Sequence, residues 1–141
     1  EWQTMQVTLP PSRELQREKM EQQLKQHDTN FFNQGGAMKL AWLQRNQSGH
    51  QADLACLTIG RARILHMPGE LFVEYQLAAK AQRPDLFVAM AGYGDYGPGY
   101  VGTAKAYAEG GYETSADSSD VAPEVEAVLM GGIKKLLGHA P

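Results

Sequence analysis

The sequence predicts an α/β fold, a mixed sheet with flanking helices, and it reads as an incomplete part of a larger α/β domain. Three observations lead there. A strand–helix–strand order occupies the centre of the chain, between Asp53 and Ala91. A clear amphipathic helix ends it, with Val125, Val128, Leu129, Ile133, Leu136 and Leu137 on one face. Alternation begins at once, from Trp2 through Met5 and Val7 to Leu9, so the first strand starts with no lead-in, as in a chain cut from something longer.

The elements follow in order. Pro10-Pro11 stops the first strand, and Ser12 is the expected N-cap of a helix over 13–27. That helix has few apolar positions (Leu15, Met20, Leu24) and a Glu21–Lys25 pair, and reads as a solvated surface helix. A second helical stretch, 37–47, follows the Gly35-Gly36 break. Two strands, Leu54–Ile59 and Arg63–His66, flank Gly60-Arg61. Leu71, Phe72, Tyr75, Ala78 and Ala79 then share one helix face, and Arg83-Pro84 ends it because the residue before proline disfavours αR. The continuous apolar run Leu86–Ala91 predicts a strand covered on both faces and parallel to its predecessor. Gly131-Gly132 either weakens the last helix or lets something pack closely, and Thr114–Asp120 is a polar loop.

Composition narrows the function classes. The 141 residues carry 13 Lys+Arg and 16 Asp+Glu, a net charge of −3 with no basic block. That leaves no electrostatic footprint for nucleic acid or for an anionic membrane surface. No run approaches the ~18 apolar residues of a membrane-spanning helix. Cys56, the one cysteine, excludes an internal disulfide, and its apolar run marks it as a buried, inert thiol.

Ten of the fifteen glycines follow residue 91, and five of the six tyrosines lie between Tyr93 and Tyr112. Gly92, Gly94 and Gly97 spell GxGxxG after a strand, but Pro98-Gly99 falls where the phosphate-binding helix should begin. No acid-tipped strand follows either; Glu109 and Glu113 flank Gly110-Gly111-Tyr112 instead. What remains is a phenol-rich loop at a strand's carboxyl end, where open α/β sheets bind ligands. A second candidate is His66-Met67-Pro68-Gly69-Glu70, again between a strand and a helix. Glu70 either favours the positive end of that helix or projects into the same crevice as the tyrosine loop. Extended chain would hold His66 and Glu70 roughly 13 Å apart, so only a turn at Pro68-Gly69 could bring both to one metal. His66 reads as a packed or supporting histidine.

His66-Met67-Pro68-Gly69-Glu70-Leu71-Phe72, Gly94-Asp95-Tyr96-Gly97-Pro98-Gly99-Tyr100 and Tyr107-x4-Tyr112-Glu113 together resemble the C-terminal part of the catalytic domain of the neutral/alkaline ceramidase-like family. The resemblance runs from Asp53 to Leu137 and more faintly through residues 1–50. It implies a zinc-dependent amidase that cleaves an N-acyl amide with zinc-activated water. In that family zinc is held by two upstream histidines, the Pro-Gly-Glu glutamate and a tyrosine of the later loop. Carried onto this chain, the metal ligands are Glu70 and Tyr100, with Tyr100 also catalytic and Tyr96 and Tyr93 as fallbacks. His27, His50 and His139 match neither upstream histidine, so the remaining ligands are expected from the upstream part of the same domain, and the chain alone is expected to be inactive. Leu71-Phe72-Val73, where the family has small polar residues, and Pro98-Gly99 before Tyr100 depart from its pattern. They leave a small amide or lipid-like substrate open. The resemblance further implies an exported or periplasmic setting. The alternative is a binding or interaction domain that keeps the fold without the metal.

Overall fold

The computed structural model describes residues 1–94 and 97–138. In chain order the elements are β1 (Trp2–Val7), α1 (Arg17–Lys25), α2 (Thr29–Asn33), α3 (Gly36–Gln47), β2 (Ala52–Ile59), β3 (Ala62–Pro68), β4 (Glu70–Leu71), α4 (Val73–Gln82), β5 (Phe87–Gly94), β6 (Tyr100–Val101), α5 (Ala104–Glu109) and α6 (Val125–Gly138). The main sheet has the order β1-β2-β3-β5. Its first two pairings are antiparallel and β3–β5 is parallel, joined across α4, so the sheet is mixed as expected. The β2–β3 hairpin closes with Ile59 opposite Ala62, and Gly60 takes φ +55° at the first position of the turn. A two-stranded parallel ladder, β4–β6, lies beyond the main sheet's carboxyl end. No helix among the described residues is long and apolar enough to cross a membrane.

Alternation along the strands sorts the core. Leu54 and Cys56 of β2, Leu65 and Met67 of β3 and Val88 of β5 lie buried beneath Tyr75 and Ala79 of α4 and the apolar face of α6. Burial pushes the Cys56 thiol upward, away from the reactive thiolate, as its apolar setting predicts. A second cluster, Met20, Phe31, Leu40 and Leu43, joins α1, α2 and α3, with Trp42 touching both clusters. Arg83 follows α4, pairs with Asp85 at 2.8 Å and donates to the Leu137 carbonyl at 2.8 Å, fastening the end of α6. Its guanidinium holds the Asp85 carboxyl down at about 2.

Several expectations are corrected. The first helix begins at Arg17, not residue 13, because Pro11 and Ser12 are drawn into pairing with the 120–121 segment: Ser12 N donates to Asp120 O at 2.8 Å. Ser12 Oγ accepts only from Glu14 N, and Gln16 stands at the N-cap without a side-chain bond. Within α1, Glu21 pairs with Arg17 at 2.8 Å. That helix is mostly exposed, yet Met20 is buried in the satellite core, so it is more than a solvated surface helix. The apolar run at 86–91 forms an edge strand covered on one face: Phe87 is 69% exposed, and pairing extends through the glycines to Gly94. Two short helices were not anticipated. Asp28 caps α2 by accepting from Asn30 N and Phe31 N, and Thr103 caps α5 by accepting from Ala106 N.

The adjacent glycines of α6 have different roles. A side chain on Gly132 would meet Leu54, which is fully buried, whereas Gly131 faces open space. Gly131→Ala should therefore stabilise the fold by about 0.5–1 kcal/mol, the usual helix-interior gain. Gly132→Ala should cost about 1–3 kcal/mol through overpacking. Denaturant melts of the two variants check the contrast.

Candidate functional site

The site is built where β3 ends. Gly69 takes φ +74°, turning the chain so that Glu70 enters the parallel β4–β6 ladder directly opposite Tyr100. Glu70 N donates to Gly99 O at 2.8 Å and Phe72 N to Val101 O at 3.1 Å, which fixes that register. Gly97 passes against the Gly69 backbone closely enough that any side chain there would strike it. Hence the glycines from Gly92 to Gly99 serve close backbone approach. Gly92 and Gly94 lie within β5, no helix opens until Ala104, and the GxGxxG spacing forms no helix-end phosphate cradle.

Glu70, Tyr93, Tyr100 and Tyr112 line one open cavity of about 450 Å³, together with Asp117 and Ser118. The Tyr93 phenol donates to the Glu70 carboxylate, and this bond raises the phenol's pKa above its ordinary value. Tyr100 is raised as well, chiefly by the charge of Glu70. Both phenols are thus held protonated, as hydrogen-bond donors, near neutral pH. Tyr112 meets Tyr100 edge-to-face, ring centroids 6.1 Å apart. Tyr93 itself has φ +62°, a left-handed conformation that costs a non-glycine residue about 1–3 kcal/mol, and its N–H donates to Gly69 O at 2.6 Å.

The backbone of Tyr100 is braced from behind. Its N–H donates to Ser118 O at 3.0 Å, and the buried Ser119 Oγ donates to its carbonyl at 2.8 Å. With that hydrogen committed, the Tyr107 hydroxyl donates to Ser119 Oγ at 2.7 Å. Buried Tyr75 donates to Gly102 O at 2.9 Å, and burial pushes the phenols of both Tyr75 and Tyr107 upward. Lys39 of α3 ties down the same loop, donating to the carbonyls of Ala116 and Asp117 and pairing with Asp120 at 3.4 Å. Burial raises the Asp120 carboxyl while Lys39 opposes the rise.

The two residues assigned as metal ligands, Glu70 and Tyr100, are therefore side by side. The fallback Tyr93 is bonded to Glu70, while Tyr96 and His139 fall outside the described residues. His66 is half-buried with its ring against Gly94. His50 pairs with Arg45 at 2.8 Å, and His27 is exposed at the end of α1. Among the described residues no three His, Cys, Asp or Glu side chains gather where they could hold a metal. The donor chemistry fits zinc in part: one carboxylate and one phenol, adjacent and open to a shared cavity, are two of the four ligands zinc takes. The Tyr93–Glu70 bond, the Ser119 hydroxyl and the Tyr75 anchor were missed. Only Tyr93 carried a local signal, a tyrosine between two glycines at a strand end.

Glu70→Gln should move the phenol titrations of Tyr93 and Tyr100 back down toward the ordinary tyrosine value of ~10. Removing the negative charge removes what disfavours the phenolate, so the shift is downward. Phenolate absorbance followed against pH, with Tyr93→Phe and Tyr100→Phe to assign the signals, measures it.

No protein-family model matches the chain, and no curated protein matches its sequence. Among solved structures it is similar to a ceramidase complexed with C2 and to a neutral ceramidase from Pseudomonas aeruginosa. Each is 22% identical with a TM-score of 0.53 over 62% of this chain. The chain spans only 14% and 15% of those two chains, respectively. At that identity the likeness shows the fold alone: a mixed sheet with flanking helices of the kind found within bacterial neutral ceramidases.

Proposed function

We propose that this chain is the C-terminal part of a ceramidase-like, zinc-dependent amide hydrolase, contributing Glu70 and Tyr100 to a metal site completed by the upstream part of the same domain. The observation that carries the reading is the juxtaposition of Glu70 and Tyr100 across the β4–β6 ladder, facing one cavity. The likeness to ceramidases of known structure supports it. The substrate class is a small amide or a lipid-like N-acyl amide.

Zinc at such a site supplies Lewis acidity, lowering the pKa of bound water to about 7 and polarising a carbonyl. The chain's own residues do the rest. Glu70 provides the anionic oxygen, and Tyr93 orients that carboxylate through its hydrogen bond, the support that ligand carboxylates ordinarily receive. Tyr100, kept protonated beside Glu70, binds through its oxygen or donates its proton toward the amide oxygen as negative charge develops there. Ser119 and Tyr107 keep the Tyr100 main chain from shifting while the phenol acts. Tyr112 narrows the cavity beside it.

Zinc stoichiometry after dialysis, measured on the longest native polypeptide containing this segment, tests the reading. The expected result is about one zinc per chain, lost in Glu70→Ala and weakened in Tyr100→Phe. Tyr93→Phe, which removes only the bond to Glu70, should weaken retention by roughly 10–100-fold. No zinc, or zinc indifferent to all three substitutions, sinks the hydrolase reading and leaves a binding or interaction domain that keeps the fold without the metal.

A further inference from the structure

The cavity beside Glu70 holds more than a zinc site would use. The proposed metal site takes the Glu70 carboxylate and the Tyr100 oxygen. It leaves the Asp117 carboxylate and the rings of Tyr93 and Tyr112, which line the same 450 Å³. Tyr93 and Tyr112 are 73% and 70% exposed, so most of their aromatic surface is open to a ligand. Tyr112 meets Tyr100 with an interplanar angle of 71°, so these two rings form a corner rather than a flat stack.

Charge in this cavity is one-sided. Its lining includes two carboxylates, Glu70 and Asp117, and among the described residues no Lys, Arg or His. Among the described residues neither carboxylate pairs with a cation elsewhere. Lys39 reaches the Asp117 loop from α3, but its ammonium is held by the Ala116 and Asp117 carbonyls and by Asp120. A cleft lined with charge of one sign concentrates ions of the other. Ring faces attract cations as well, the interaction by which aromatic cages hold methylated and quaternary ammonium groups. Rings and carboxylates in one cleft therefore converge on a single ligand class.

We propose that this cavity recognises an organic ammonium group, so that the amide cleaved in the proposed reaction carries a positively charged substituent. The amide rests on the functional reading above, whereas the ammonium group rests on the cavity alone. With Glu70 and Tyr100 at the scissile bond, Asp117 and the Tyr112 ring receive the ammonium group, and Tyr93 lines the same space. An amide bearing a carboxylate or phosphate would meet two like charges and be rejected. A neutral alkyl group would cover the rings but gain nothing from either carboxylate.

The test compares tetramethylammonium with tert-butanol, similar in size and shape but uncharged, and with acetate. Binding is followed by the NMR signals of the tyrosine rings in the longest native polypeptide containing this segment, after dialysis against a chelator so that zinc does not compete at Glu70. Tetramethylammonium should bind about tenfold more tightly than tert-butanol, and acetate should not bind. Asp117→Asn and Tyr112→Leu should each weaken tetramethylammonium by about 3–10-fold, while Tyr112→Phe, which keeps the ring, should stay within about twofold. Circular dichroism checks that each variant is folded, and the comparison of the three probes needs no variant at all. Two results overturn the proposal: tert-butanol bound as tightly as tetramethylammonium, or tetramethylammonium binding unmoved by both Asp117→Asn and Tyr112→Leu. Either of these in a protein that retains zinc through Glu70 would leave the hydrolase reading standing. Charge-selective binding in a protein that retains no zinc would keep the ammonium site and remove the hydrolase reading.

Discussion

Everything at the site depends on one close approach of main chain to main chain. The turn at Gly69 and the segment through Gly97 and Gly99 that leads into β6 lie in backbone contact, and there is no room between them for a β-carbon. That contact lets Glu70 N reach Gly99 O and sets Glu70 opposite Tyr100. It also brings the Gly69 carbonyl to Tyr93 N, holding the left-handed turn that carries the Tyr93 phenol to the carboxylate. Without it the acid and the three phenols would belong to separate loops. Strain at Tyr93 persists because the surrounding hydrogen bonds over-determine it, a common arrangement where geometry serves a ligand.

The electrostatics follow from the same proximity. A carboxylate surrounded by phenols that share its charge is a group of oxygen donors with the protons on the phenols. Such a cluster suits a cation, which would reverse the effect and favour the phenolate. Behind it lie neutral hydroxyls: Ser119 and Tyr75 donate to the main-chain carbonyls of Tyr100 and Gly102, and Tyr107 bonds the Ser119 hydroxyl. The hydroxyls that touch the Tyr100 strand are neutral, while the cavity lining carries the carboxylates of Glu70 and Asp117 and the loop behind is held by the Lys39–Asp120 pair.

Much of this was legible in the sequence, where periodicity and punctuation are local. The β3–α4–β5 crossover, the β2–β3 hairpin and α6 follow from alternation, from 3.6-residue spacing and from Gly60 and Pro84. Glu70 and Tyr100 were legible only as a pair of motifs, because their meeting depends on a turn and a ladder between residues thirty apart. What was illegible is long-range. Ser12 looks like a cap until Asp120 claims its N–H. Leu86–Ala91 looks like a strand buried on both faces until its place at the sheet edge is known. Ser119 carries no signal at all, since its role arises entirely from the carbonyl and phenol that the fold brings to it.

The division of the interior into two apolar clusters has a consequence for cooperativity. The α1–α3 cluster has its own buried centre and meets the larger core through Trp42. It is otherwise fastened mainly by polar ties, the Asn46 amide to Leu9 O and the Lys39 ammonium to the 116–120 loop. A unit secured in this way opens at a lower free energy than the sheet it leans on. The loop that Lys39 restrains is the one that supplies Ser118 and Ser119 to Tyr100, so loosening the helices slackens the ladder at Tyr100 without unfolding the sheet. The helical third of the molecule, far from contributing ligands, governs how rigidly they are presented.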